Sequence, residues 1–319
     1  MKIKRLYVIG NGFDLHHGVN STYYNFRKFV DKNSDLDELE VVEDSFSCSD
    51  LWSSFEENLA KFNCRKFATR IENDYRPNLM SDHYESTLSD ARCEAENVLD
   101  EWDTAIRMNF PEWLKQLDRP SLIDAVFIKR SGSKFLTFNY TETLEHLYRV
   151  KGEDILHIHG KLGDRPSDLL LGHGGLAAQN KDFGVGLDPS DELAIADTER
   201  VARQYAARWE KPVRSNIQKH SAFFAALKNV KEVYVFGFSF SAIDMPYIEE
   251  VKASVNRSAM WTVSYYNRDE ILKIRNSLNV DDSRLHLVKL DDLLLWKKYL
   301  WCLGMVLLSA FLLRVISII

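Results

Sequence analysis

A chain of 319 residues with 45% hydrophobic and 12% aromatic content can bury a large core, which excludes a disordered protein. Its formal net charge of -6 and the lack of any long Lys/Arg block exclude a general nucleic-acid surface, because a phosphate backbone calls for a basic stripe. The cysteines Cys48, Cys64, Cys93 and Cys302 show no C-x-x-C spacing, which speaks against a zinc site or redox dithiol and suits a reducing cytoplasm.

Behind Met1-Lys2-Ile3-Lys4-Arg5 the apolar run is too short for an export signal. Leu6-Tyr7-Val8-Ile9 instead runs into Gly10-Asn11-Gly12, the pattern of a buried parallel strand ending at a turn bare enough for a ligand to approach, where nucleotides usually sit in an α/β sheet. Tyr23 to Val30 carries apolar residues at helical spacing, with Ser21 or Thr22 placed as its cap. Asp31 to Ser49 is acidic and reads as an exposed loop. Residues 51–117 are strongly helical, with Trp52, Phe55, Leu59 and Phe62 on one face and Pro77 and Pro111 as breaks.

Strands follow at Ser133 to Phe138 and Asp154 to Ile158, separated by a helix over Thr141 to Val150. Residues 177–211 read as a mobile loop leading to a helix, placed to act as a lid. A helix over Asn216 to Leu227, a strand at Glu232 to Phe236 and a helix over Met245 to Val255 come next. The last strands are Trp261 to Tyr266 and Leu285 to Val288, with a helix around Glu270 to Leu278 between them. This alternation predicts an α/β fold: a Rossmann-like, mostly parallel sheet with helices on both faces and an inserted helical lobe. The expected division is one domain over 1–295, with the insertion at 51–131, and a hydrophobic tail over 296–319. That tail is uncharged from Tyr299 to Leu313 and follows Lys297-Lys298, so it is read either as an inner-membrane tether or as a packing helix.

Four segments can carry chemistry. Gly10-Asn11-Gly12 matches only part of a dinucleotide fingerprint, since Leu15 stands where the third glycine belongs, and an ordinary hydride-transfer domain is disfavoured. Asp14 beside it suits a ribose hydroxyl or the loop itself. Thr137-Phe138-Asn139-Tyr140 ends a strand, so Asn139 presents an amide able to donate and accept. In His157-Ile158-His159-Gly160, His159 is the better acid-base candidate and His157 the better core residue; no third ligand at a recognisable spacing supports a metal. Gly237-Phe238-Ser239-Phe240-Ser241 approaches a nucleophile elbow but has Ser241 in place of the last glycine. His286 with Asp269, Asp281 or Asp282 would nominally complete a triad around Ser239, and a serine hydrolase is the second reading.

Taken together, Val8 to Gly18, Phe135 to Glu145, His157-Ile158-His159-Gly160, Gly172-His173-Gly174 and Val235 to Ser239 with Asp244 resemble the bacteriophage abortive-infection AbiH family. The same order is similar to the sirtuin-like NAD-binding superfamily. The resemblance implies that Gly10, Asn11, Gly12 and Asp14 line the phosphate and ribose of NAD, with Thr137 and Tyr140 flanking Asn139. It implies that Asn139 holds ribose or water, that His159 is the general base, and that Gly237, Ser239 and Asp244 complete the adenosine side. The four-cysteine zinc module of sirtuin deacetylases is missing, which leaves cleavage of NAD to nicotinamide and ADP-ribose in phage defence. The expected partners are NAD or a related nucleotide, a phage-derived or host activator and a second copy of the chain; a nucleotide sensor without turnover is the remaining alternative.

Overall fold

The computed structural model describes residues 2–34, 40–75, 84–175 and 189–295. Its centre is β1 (Arg5–Ile9), in which Leu6 to Ile9 are all buried. A strand covered on both faces needs this unbroken apolar run, each such side chain contributing about 1.5–3 kcal/mol by leaving water. Leu6 and Val8 point to one face and Tyr7 and Ile9 to the other, and the two sets belong to separate cores.

After α1 (Asn11–His16) and α2 (Tyr23–Asn33) come α3 (Glu40–Glu43), α4 (Phe55–Leu59), α5 (Cys64–Tyr75) and the long α6 (Tyr84–Leu114). The chain then returns as β2 (Ser133–Thr137), α7 (Thr143–His146) and β3 (Ile155–His157). The second half runs α8 (Pro189–Arg208), α9 (Val213–Lys219), α10 (Ser221–Ala225), β4 (Glu232–Phe236), α11 (Met245–Ser254), β5 (Met260–Ser264), α12 (Glu270–Leu278) and β6 (Leu285–Val288). All six strands are parallel, in the order β3-β2-β1-β4-β5-β6. The α/β, Rossmann-like expectation therefore holds. The winding reverses between β1 and β4, and ligands of such sheets bind outside the strand C-termini at that reversal.

Tyr247, Ile248 and Val251 of α11, Ile274 and Leu278 of α12 and Phe224 of α10 cover one face of the sheet. Phe13, Leu144 and Tyr148 cover the other, with the pairing of Val126 and Leu294 closing it. A third, aromatic-rich core holds Phe26, Trp52, Phe55, Phe62, Trp102 and Trp209 and draws on α2 to α6 and on α8.

Several local expectations change. The α2 cap is Thr22, whose hydroxyl accepts from Asn25 N–H, while Ser21 bonds to Asn11. In the acidic 31–49 stretch, of which 35–39 lies outside the described residues, α2 reaches Asn33 and Val42 and Phe46 are core residues, so the described part is no simple exposed loop. Pro111 does not end α6, which continues to Leu114, and Pro77 lies outside the described residues. The helix expected over 141–150 is the single turn α7. Of the expected lid, 177–188 lies outside the described residues, and α8 is a fixed wall with Val201, Ala202, Tyr205 and Ala206 buried. The tail from 296 onward also lies outside them; among the described residues no helix is long and apolar enough to cross a membrane.

The turns after β1 and β4 lock together. Gly12 N–H donates to Gly237 O at 2.8 Å, and a Cβ on Gly10 would lie 2.6 Å from that same oxygen. Gly237 has φ +61, and its missing side chain would collide with Gly12 and Phe13 backbone. Gly237→Ala should therefore destabilise the chain by about 2 kcal/mol or more, from left-handed strain and overlap together. Urea denaturation checks this, and an unchanged midpoint would show that the turns do not depend on that contact.

Candidate functional site

The two locked turns place a set of polar side chains at the C-terminal edge of the sheet. Asn139 follows β2 and His159 follows β3, each two residues beyond the paired residues Thr137 and His157, so they leave neighbouring strand ends at one level. Asn139 is buried; its Nδ2 donates to Gly10 O at 3.1 Å, and its N–H donates to Thr137 Oγ1 at 3.1 Å. Asp14, fully buried on α1, accepts a hydrogen bond from Thr141 Oγ1. Burial pushes its carboxyl above the ordinary range, against the opposing pull of Thr141, Thr143 and Asn139.

His159 stacks edge-on against Phe138 and Tyr247 and is 2% exposed. Its Nε2 faces Asp244 Oδ1 at 3.4 Å, within ion-pair distance but misaligned for a hydrogen bond. On its other side Nδ1 lies 3.5 Å from Lys211 Nζ. Burial, and then the Lys211 ammonium, hold the imidazole well below the usual histidine range. Asp244 moves the opposite way, to about 7: burial raises it and the Glu56 and Glu57 charges add to the rise, while Lys211 lowers it. A carboxyl in that position is poised to exchange a proton near neutrality.

Lys211 and Glu56 complete the cluster. Glu56 Oε1 sits 2.6 Å from Lys211 Nζ, and the same oxygen takes a 3.4 Å hydrogen bond from Gly172 N–H and a 3.5 Å one from the Tyr140 hydroxyl. That hydroxyl also bonds to Leu170 O at 2.9 Å, and burial followed by the Glu56 charge raises it well above an ordinary tyrosine. Tyr23 is raised in the same way, by burial, Glu56 and Asp244.

The structure thus joins Gly10, Gly12, Asp14, Thr137, Asn139, Tyr140, His159, Gly237 and Asp244 into one region, but gives some of them other work than expected. Gly10 and Gly12 are small so that two turns can touch, and their N–H groups donate to Phe236 O and Gly237 O, so neither is free to cradle a phosphate. The Asn11 side chain is tied to Ser21, accepting from its hydroxyl and donating to its carbonyl. His157 has Glu145 on one ring nitrogen at 3.0 Å and the Asn139 carbonyl on the other at 3.1 Å, which makes it a tie between strand ends. His17 is a packing residue: Nδ1–H donates to Phe13 O, Nε2 accepts from the Tyr148 hydroxyl, and burial lowers it to about 4.

Ser239 is exposed and makes no side-chain hydrogen bond among the described residues. Through the β4, β5 and β6 register His286 is level with Tyr234, exposed and two strands across, whereas Ser239 lies beyond the end of β4. The triad expected of a serine hydrolase is not assembled. Among the described residues no group of three or more His, Cys, Asp and Glu is arranged to hold a metal ion. A cleft of about 660 Å³ lined by Arg130, Lys134, Arg149 and Lys151 opens at the opposite, N-terminal edge of the sheet, away from this cluster.

A model of the bacteriophage abortive infection AbiH family matches residues 6–265, which takes in every residue of the cluster. The chain belongs to that family. Its membership places the AbiH chain in phage abortive infection. No curated protein matches it.

Sequence reasoning missed Glu56, Lys211, Tyr23 and Thr141. Glu56 is one of two adjacent acids in an aromatic helical repeat, and Lys211 stands between Glu210 and Pro212; neither position carries a periodic or motif signal. The raised Asp244 gives a sign that can be tested. Because its folded value exceeds the ordinary 3.8, the folded chain keeps that proton longer than the unfolded chain, and stability is lost as pH rises from there to about 7. Asp244→Asn should gain stability relative to the parent chain across that window, with a constant gap above it. Urea midpoints measured at successive pH values check this, and parallel curves would contradict it.

Proposed function

We propose that the AbiH chain is an antiphage effector that binds NAD and hydrolyses the bond between its ribose and nicotinamide. One observation carries the reading. Asp14 Oδ1, Asn139 Oδ1, His159 Nε2 and Asp244 Oδ1 are buried polar atoms without a hydrogen-bond partner among the described residues, and all four belong to groups at the sheet reversal. Buried polar atoms are nearly always paired in folded proteins, so a concentration of unpaired ones at the edge where α/β sheets bind nucleotides fits a site whose partner is a ligand.

The chemistry needs a stabiliser for positive charge, an acceptor for hydroxyl or water hydrogens and a proton acceptor. When the C1′–N bond breaks, its electron pair leaves with neutral nicotinamide and the ribose carries an oxocarbenium-like charge. Asp14 and Asp244 supply carboxyl groups on either side of Asn139 in the chain, and Asn139 Oδ1 can accept from a ribose hydroxyl or the attacking water. Water adds to C1′ and gives up its proton. Asp244, at about 7, suits that acceptor better than His159, whose burial and Lys211 neighbour oppose protonation. The general base therefore moves from the expected His159 to Asp244, and the locked glycine turns leave recognition to the ribose and nicotinamide end of NAD. The sirtuin-like resemblance points to the same substrate. Burial of Asp14, Asn139, His159 and Asp244 suits slow turnover at rest, which gives a phage-derived or host activator the role of raising it.

Cells carrying the chain should lose NAD and accumulate nicotinamide during phage infection. Asn139→Ala and Asp244→Asn should each lower that release by about 100-fold or more, the usual worth of a positioned acid-base group, while Ser239→Ala retains it. Abortive infection with unchanged NAD, or loss of release in Ser239→Ala alone, would overturn the proposal.

A further inference from the structure

Lys211 is a lysine with its side chain only 1% exposed, an arrangement that costs several kcal/mol in order of magnitude unless the charge is paired. Glu56 pairs it at 2.6 Å, which accounts for its burial. The backbone from which the lysine starts is held by the Gly172-His173-Gly174 segment, one of the motifs with no task in the proposed reaction. His173 N–H donates to Trp209 O at 2.9 Å and Lys211 N–H donates to His173 O at 2.7 Å, a two-bond clamp on the backbone that carries the lysine. The His173 ring is itself locked, donating from Nε2 to Ala206 O and accepting on Nδ1 from Gly175 N–H, each at 2.9 Å. Gly172 is at φ +159, and a side chain there would strike Trp209 O. The motif thus fixes the backbone from which Lys211 carries its ammonium inward to Glu56.

The ammonium also faces His159 Nδ1. An ammonium has hydrogens to give and no lone pair to receive, so the ring nitrogen facing it at 3.5 Å serves as the acceptor. With Nδ1 bare, the neutral ring carries its hydrogen on Nε2, the atom that faces Asp244. We infer that Lys211 is a positioning residue of this site, holding His159 in the Nε2–H tautomer so that this hydrogen lies on the Asp244 side of the ring, available to a bound ligand, and the carboxylate is left to accept the proton from water. Glu56 holds the lysine in place from the helical layer, and His173 holds it from the loop after β3. The consequence for catalysis rests on the hydrolytic reading above; the tautomer does not.

The full-length chain labelled with ¹⁵N-histidine gives the test, with His159 assigned by its loss in His159→Gln. Long-range ¹H–¹⁵N correlation should show a pyridine-type Nδ1 and a pyrrole-type Nε2 for His159 at neutral pH. In Lys211→Met paired with Glu56→Gln, which removes both charges together and leaves no lone buried carboxylate, the two nitrogens should shift toward averaged values. Nicotinamide release by the double variant should fall by about 10- to 100-fold in kcat, the range found when a group orienting a reactive residue is lost. The same Nε2–H signature in the double variant, or an Nδ1–H ring in the parent chain, would overturn the inference. The expected tautomer together with no nicotinamide release under any activating condition would overturn the hydrolytic reading and leave the positioning role standing.

Discussion

The turns after β1 and β4 meet backbone to backbone because Gly10, Gly12 and Gly237 put no side chain between them. That contact decides what else can stand at the sheet edge. It holds the Gly10 carbonyl where Asn139 Nδ2 reaches it, and it starts α1 at the position from which Asp14 turns inward to Thr141. It also fixes the departure of the 237–244 loop, through Gly237 N–H donating to Ser264 Oγ and through Phe240 in the left-handed region at φ 54, so that Asp244 arrives opposite His159. A doubly wound sheet normally parts at this reversal to admit a ligand. Here the backbones close, and the polar side chains beyond them take over the edge.

Those side chains are held under opposing pressures. Burial acts on Asp14, His159 and Asp244 alike and favours the neutral form of each, while Lys211 and Glu56 bring a full ion pair into the same volume. Such a pair adds little net stability, since desolvation offsets most of the attraction, so its retention points to a task beyond holding the fold. The aromatic core around Trp102 and Trp209 provides the rigidity, since Trp209 is at once a core residue and the backbone partner of His173. The helical layer and the sheet edge are thereby one mechanical unit.

Much of this was readable in the chain. An unbroken apolar run such as Leu6 to Ile9 reads as a doubly covered strand, and the alternation of strands with helices after it points to a parallel sheet. Asn139 and His159 stood out because strand ends are where α/β sheets present chemistry, whereas Asp244, well beyond the end of β4, was picked out only by the family resemblance and for the adenosine side. The glycines were found for an incomplete reason: sequence shows that something approaches Gly10 closely, but not whether it is a phosphate or another stretch of backbone. Glu56 and Lys211 left no local trace, because their meeting is made by tertiary packing over 155 residues of chain. The acidic 31–49 stretch misled in the opposite sense, since two buried apolar residues, Val42 and Phe46, suffice to tie a polar segment into a core.

The central claim is that the unpartnered polar atoms at the sheet reversal receive NAD. Calorimetric titration of NAD into the full-length chain carrying Asp244→Asn, which slows turnover, tests it most directly. Saturable binding at one site per chain, abolished when Asn139→Ala is added, is the result the account requires; no binding, or the same binding with and without Asn139, would contradict it.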